Sequence, residues 1–139
     1  MKPVIRNTLA VVAGLVIGSI VNMSLIALGG KVISPPAGAD VTTMEGISHS
    51  IHLFEPRHFI FPFLAHAMGT FAGALVAVLL AASHQLKLAL GIGFLFLAGG
   101  ITNVIMLPSP LWFNVVDLVG AYIPMAWAGW RLGRGKGSR

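Results

Sequence analysis

Residues 111–130 read LWFNVVDLVGAYIPMAWAGW, an apolar run that carries one carboxylate, Asp117. About 20 mainly apolar residues are needed to cross the hydrocarbon core of a membrane as a helix, so this run predicts a transmembrane helix. A carboxylate at that depth costs roughly 2.5–3.5 kcal/mol on insertion scales. We therefore expect Asp117 to have a partner or a function inside the protein.

The rest of the chain has the same apolar character. Of its 139 residues, 56% are hydrophobic and 9% are charged, whereas a soluble domain carries about 25% charged residues. The composition indicates a membrane protein. The chain has no cysteine, which excludes disulfides, thiolate metal sites and thiol redox chemistry.

Four segments are long and apolar enough to span a membrane: residues 7–29, 59–83, 88–107 and 111–130. They predict an all-α integral membrane bundle of four transmembrane helices, forming a single domain over residues 1–139. The first apolar run, from Leu9 to Leu28, is longer than the ~7–15-residue core of a signal peptide. We therefore interpret it as a retained span.

The basic residues predict the orientation of the bundle. With both termini in the cytoplasm, that side carries Lys2, Arg6, Lys87, Arg131, Arg134, Lys136 and Arg139, and the outer side carries only Lys31 and Arg57. Loops rich in lysine and arginine stay in the cytoplasm. The short basic tail is typical of a topology signal that touches anionic membrane lipid, and we expect no nucleic-acid partner.

The long outer loop, residues 30–58, also contains a predicted element. Thr42 followed by Glu45 three residues later is a capping-box pattern that marks the start of a helix. Ile51 and Phe54 would share its apolar side, and Pro56 would end it. The pattern predicts a short amphipathic helix over residues 43–54, lying against the outer mouth of the bundle.

The hydrophobic runs each carry a comparable polar residue, and these lie at similar predicted depth in the outer half of the bundle: Asn22, His66, Asn103 and Asp117. Glycines at spacings of three and four mark the same helix faces, and such faces approach other helices closely. The pattern predicts a binding site formed by Asn22, His66, Asn103, Asn114 and Asp117, in a polar cavity that opens outward. Alternatively, these groups only join helices, at about 0.6 kcal/mol per contact.

Asp117 and His66 are the pair that favours a functional site. A carboxylate and an imidazole in one dry pocket can share a proton, and intramembrane ionisable residues commonly mark sites. We expect a proton-sensitive pair. No catalytic residue follows from the sequence.

A second set of polar residues recurs every three positions in the outer loop: His49, His52, Glu55 and His58. Imidazole and carboxylate groups are suitable ligands for zinc or another divalent ion. On an α-helix, however, each step of three drifts by about 60°, and Pro56 interrupts the series. These residues are thus metal candidates, with ordinary interfacial residues as the alternative. No other cofactor is expected.

Glycine pairs four residues apart occur at Gly14/Gly18, Gly69/Gly73 and Gly129/Gly133. Such pairs are typical of close helix contacts, either within one chain or in a homodimer. The two predicted hairpins also share a weak repeat, since Gly18 to Asn22 is similar to Gly99 to Asn103. Transporters built from such repeats are known, and a homodimer would enlarge the small space that four helices enclose.

Three stretches resemble uncharacterised small inner-membrane proteins of bacteria: PPAGADVTTME from Pro35, HLFEPRHFIFP from His52 and WFNVVD from Trp112. The resemblance would cover nearly the whole chain. It implies four helices and a multi-pass protein of the bacterial inner membrane, and it implies no activity.

Three functions remain open on the sequence alone. The leading hypothesis is a small protein that binds or transports a solute or ion with proton sensitivity. The second is an enzyme acting on a lipid-like substrate at the outer leaflet, with His66 and Asp117 as acid and base. The third is a non-catalytic accessory subunit. A sideways-opening apolar pocket would favour the enzyme, and a water-accessible pocket would favour transport.

Overall fold

The computed structural model describes residues 1–136 and is 79% helical. Six α-helices occur in this part of the chain: α1 (Pro3–Val32), α2 (Met44–Ser50), α3 (Ile60–Leu80), α4 (Gln85–Met106), α5 (Leu111–Gly120) and α6 (Ile123–Gly133). Two 3-10 turns, Ile51–Leu53 and Pro56–Phe59, lie between α2 and α3. By length and composition, four segments can cross a membrane: α1, α3 with the turn before it, α4, and α5 together with α6. The predicted all-α bundle of four membrane-spanning helices is confirmed.

Helix α3 is the centre of the bundle, in contact with α1, α4 and α6. Gly14 and Gly18 of α1 meet Gly73 and Gly69 of α3, so the two helices run antiparallel. A Cβ atom on Gly14 would lie 2.5 Å from the carbonyl oxygen of Gly73. The backbones touch only because neither side has a side chain, which is the usual role of small residues between membrane helices.

The third glycine pair packs on α3 in the same way. A Cβ atom on Gly129 of α6 would lie 2.8 Å from the Phe71 carbonyl oxygen, and one on Gly133 would meet Val78. All three pairs are therefore used within one chain. The homodimer stays a prediction, and it would have to use other helix faces.

The end of the bundle opposite the long loop is closed by the first turns of α1. The Asn7 side-chain oxygen accepts hydrogen bonds from the backbone N–H groups of Ala82 and Ser83, at 2.9 and 3.3 Å. Its amide nitrogen donates to the Ser83 hydroxyl at 3.1 Å. Arg6 donates to the Leu80 carbonyl oxygen at 2.7 Å. These contacts join the start of α1 to the tight turn between α3 and α4.

The outer loop differs from its prediction in detail. Helix α2 begins at Met44 with Thr43 as N-cap, whose side chain accepts a hydrogen bond from the Gly46 N–H at 2.9 Å. Thr42, the predicted cap, instead donates its hydroxyl to Asp40 at 2.6 Å. The helical segment then continues as the 3-10 turn Ile51–Leu53. Ile51 packs with Phe59 and Phe113, so this segment covers the outer ends of α3 and α5.

The fourth span is not one helix, as residues 111–130 predicted. Helix α5 ends at Gly120 and α6 begins at Ile123. Pro124 explains the break, because a proline ring clashes with the carbonyl group four residues earlier, and that residue is Gly120. Helix α3, the second span of the first predicted hairpin, runs without a break, so the second spans of the two hairpins differ.

Candidate functional site

His66 and Asp117 are directly bonded in the bundle. The His66 Nδ1 atom of α3 lies 2.7 Å from the Asp117 Oδ1 atom of α5. The Asp117 side chain is 4% exposed and that of His66 is 15% exposed. A carboxylate has only acceptor atoms, so Nδ1 is the donor whenever Asp117 is ionised. The expected pairing of these two residues inside the bundle is therefore present.

Tyr122 completes the site, and the sequence analysis missed it. Its hydroxyl donates to the second oxygen of Asp117, Oδ2, at 3.1 Å. Its ring stacks on the His66 ring, with centroids 5.8 Å apart and planes 25° apart. Both carboxylate oxygens are thus engaged, which fixes the orientation of Asp117. Tyr122 is the chain's single tyrosine, and a buried tyrosine hydroxyl usually has a partner; that signal could have found it.

The break between α5 and α6 brings Tyr122 to Asp117. In a continuous helix each residue turns by 100°, so a residue five positions later would point about 140° away. At the break, Tyr122 departs from helical geometry, with φ −114° and ψ −79°. Its side chain can then return toward the carboxylate. Gly100 of α4 leaves space for the phenol ring, because a Cβ atom there would overlap it.

The three asparagines of the predicted site make no hydrogen bond to His66 or Asp117 among the described residues. Asn22 is half-buried between α1 and α3, where a Cβ atom on Gly69 would lie 3.0 Å from its own Cβ. Asn103 is half-buried on α4. Asn114 donates to the Ser109 carbonyl oxygen at 3.4 Å and stays with the loop before α5. Over residues 1–136, only His66 and Asp117 of the five predicted residues bond to each other.

The metal candidates do not converge. His49 lies 3.8 Å from Glu45, and both side chains are largely exposed. Glu55 pairs with Arg57 at 3.0 Å. The His58 Nδ1 atom accepts the Glu55 backbone N–H at 2.9 Å, so this nitrogen already has a partner. In the part of the chain that the structure describes, no three His, Asp or Glu side chains are grouped to hold a metal ion. A metal at His49, His52, Glu55 or His58 stays a prediction.

The second ring nitrogen of His58, Nε2, is buried and has no hydrogen-bond partner among the described residues. The ring packs beside Phe54, with centroids 5.5 Å apart. His58 is therefore part of the apolar cover over the outer ends of α3 and α5.

Two pockets lie outside the polar site. One is a polar hollow of about 320 Å³ in the outer loop, lined by residues that include Asp40, Glu45 and His49. Hydrogen bonds from the Thr42 hydroxyl and then the Thr42 N–H hold the pKa of Asp40 below its usual value. The other is an apolar crevice of about 220 Å³ between α3 and α5. Neither pocket contains Asp117, which is 3% exposed. The outward-opening polar cavity stays a prediction.

Comparisons with protein-family models, with curated proteins and with solved structures gave no match for this chain. The resemblance to small bacterial inner-membrane proteins therefore stays a prediction.

Proposed function

We propose that this multi-pass membrane protein binds a small solute or ion and carries it across the membrane, with His66 and Asp117 as its proton-sensitive pair. The observation that supports the proposal is the 2.7 Å contact between these two ionisable groups, with Asp117 4% exposed. Ionisable residues at membrane depth are costly and commonly mark proton or solute pathways.

The hydrogen-bonded pair can respond to both a proton and a ligand. A proton added to Asp117 removes its charge and weakens its bonds to His66 and Tyr122, because charge-assisted hydrogen bonds are the stronger ones. A cation or a hydrogen-bond donor can compete for the same carboxylate. Binding of the ligand and binding of the proton would then be linked, as proton-coupled transport requires.

Access to the pair requires movement of α5, because Asp117 is enclosed. Helix α5 makes few contacts with the rest of the bundle, and most of the span's packing on α3 belongs to α6. The break at residues 121 and 122 separates the two helices. Helix α5 could therefore tilt away from α3 while α6 stays in place.

Proton flux is the direct test, since the proton is the smallest ligand of the proposed pair. The purified protein is reconstituted into vesicles that contain a pH-sensitive dye, and an acid pulse is applied at a potassium diffusion potential. We expect flux in the wild type and its loss in Asp117→Asn and His66→Gln. Glu45→Gln, in the exposed outer loop, is the matched control. Wild-type flux in Asp117→Asn would remove Asp117 from the mechanism, and absence of flux from the wild type would exclude proton movement through the pair without a co-transported solute.

The proposed setting is the bacterial inner membrane, with both termini in the cytoplasm and the protein as a homodimer. Reporter fusions at residue 139 and beside Asp40 test the orientation; an external C-terminus would contradict it. The mass of the protein–detergent complex by light scattering tests the dimer.

A second function, an enzyme for a lipid-like substrate, is favoured by the apolar crevice between α3 and α5. Phe63 lines this crevice and also packs against the buried cluster of Ala67, Ala121 and Tyr122, which includes one member of the polar site. His66 and Asp117 would then act as acid and base on a reactive group of the lipid-like substrate, whose hydrocarbon chain would lie in the crevice. Mass spectrometry of lipids incubated with wild type and with His66→Gln tests it. The third function, an accessory subunit without activity of its own, predicts a different result. Replacement of Asp117 would lower the folded yield and change neither proton flux nor the lipids found by mass spectrometry.

A further inference from the structure

The crevice between α3 and α5 has a lining made only of apolar side chains. It measures about 220 Å³ and opens to the outside of the bundle, near the end that carries the long loop. Phe59, Ile60 and Phe63 form one wall, and Trp112, Phe113 and Val116 of α5 form the other. An apolar space of this size does not hold ordered water, which needs polar partners.

Contacts of two phenylalanines, Phe59 and Phe63, with α5 mark the two ends of the crevice. The Phe59 ring lies 4.6 Å from the Phe113 ring and meets Trp112 edge-on at 5.6 Å. These contacts join the two helices at their outer ends. Phe63 approaches Gly120 at the other end, with about 3.6 Å between its ring and a Cβ atom built on the glycine. The crevice lies between these two contacts.

We propose that the crevice binds one hydrocarbon chain of a phospholipid from the leaflet on the side of the long loop. The crevice lies between segments that span the membrane, so hydrocarbon is the solvent around it. A second copy of the chain is a poorer fit. Helices associate in membranes through small residues, and the crevice walls carry large ones.

The rim of the crevice offers a partner for the phospholipid headgroup. Arg57 directly follows Pro56, which lines the crevice, and its side chain is 64% exposed while it pairs with Glu55. A guanidinium group matches the geometry of phosphate oxygens. Trp112 is 48% exposed on the opposite wall, and tryptophan favours the membrane–water interface. The chain would thus lie in the crevice with its phosphate near Arg57. This site requires neither transport nor catalysis.

Native mass spectrometry of the full chain, released from detergent with palmitoyl-oleoyl phosphatidylglycerol added, tests the site. Val116→Phe fills the crevice, and Val119→Phe places the same ring on α5 at a residue that is 69% exposed and outside the crevice. We expect one retained lipid for the wild type and for Val119→Phe. In Val116→Phe the affinity for the lipid, obtained from the bound fraction over a series of lipid concentrations, should fall about tenfold, the effect of losing contact with about two methylene groups.

Arg57→Gln tests the headgroup contact separately, with oleate as a second probe. Retained phosphatidylglycerol should fall several-fold. Binding of oleate alone would overturn the assignment to a phospholipid. Equal retention by Val116→Phe and Val119→Phe, at equal melting temperatures, would overturn the crevice as the site. A dimer that retains no lipid, and becomes a monomer in Val116→Phe, would assign the crevice to a second copy. Proton flux is measured on the same variants, so the proposed transport can fail while the lipid site stands.

Discussion

The hydroxyl group of Tyr122 occupies the space that a side chain on Gly100 would need. Tyr122 is almost fully buried and donates to Asp117, which in turn bonds to His66. A glycine on α4 therefore controls the geometry of a site whose polar members belong to α3 and to the interrupted fourth span.

Gly100→Ala should destabilise the protein by about 1–3 kcal/mol, the usual cost of overpacking a well-packed interior. The phenol ring would have to move and would weaken its bond to Asp117. Gly99→Ala is the matched control on the same helix, because a Cβ atom there meets nothing within 4 Å. Alanine favours a helix over glycine, so this control should be neutral or slightly stabilising. Thermal unfolding in detergent measures both, and equal shifts would contradict the Gly100–Tyr122 packing.

Tyr122→Phe should cost about 1–3 kcal/mol, because it leaves an oxygen of a buried carboxylate without its donor. Chemical unfolding of the single variants Tyr122→Phe and Asp117→Asn and of their double variant measures the coupling. We expect a coupling energy of roughly 0.5–3 kcal/mol, as for residues that share a hydrogen bond. Strictly additive effects would show that the 3.1 Å contact contributes nothing to stability.

Asn7→Ala should destabilise the end of the bundle opposite the long loop by about 1–2 kcal/mol, similar to the loss of a helix cap. Two backbone N–H groups, of Ala82 and Ser83, would lose their acceptor. Thr8→Ala is the control, because over residues 1–136 the Thr8 hydroxyl bonds only to the Val4 carbonyl of its own helix. Asn7→Asp keeps the acceptor and should retain part of the stability. Melting temperatures that fall equally for Asn7→Ala and Thr8→Ala would count against this role.

Gly18→Leu should unfold the protein rather than separate a dimer. A side chain at this position meets the Gly69 carbonyl oxygen and the Phe96 ring, and overpacking of this size costs about 3 kcal/mol or more. Gly30→Leu on the same helix, where nothing lies within 4 Å, is the control. Folded yield and the mass of the protein–detergent complex are measured together. A folded Gly18→Leu monomer beside a wild-type dimer would place this glycine at a dimer interface instead.

Local patterns predicted the helices better than their exact ends. The capping-box pattern located the start of α2 to within one residue but chose the wrong threonine. With Thr43 as the cap, Glu45 stands one position too early for a capping box, and Thr42 donates to Asp40 instead. The interruption of the fourth span was predictable from Pro124, since proline disrupts the helix behind it. The glycine pairs were recognised as contact faces, yet their partner helices depend on how the whole bundle folds.

The sequence by itself determined that this chain spans a membrane as four apolar segments, because hydrophobic length is a property of consecutive residues. It also marked Asp117 and His66, since an ionisable group in an apolar run is conspicuous. Only the tertiary structure decided what meets that carboxylate. His66 is 51 residues away along the chain, and Tyr122 reaches Asp117 because the helix breaks between them. A regular helix would have pointed the two residues apart.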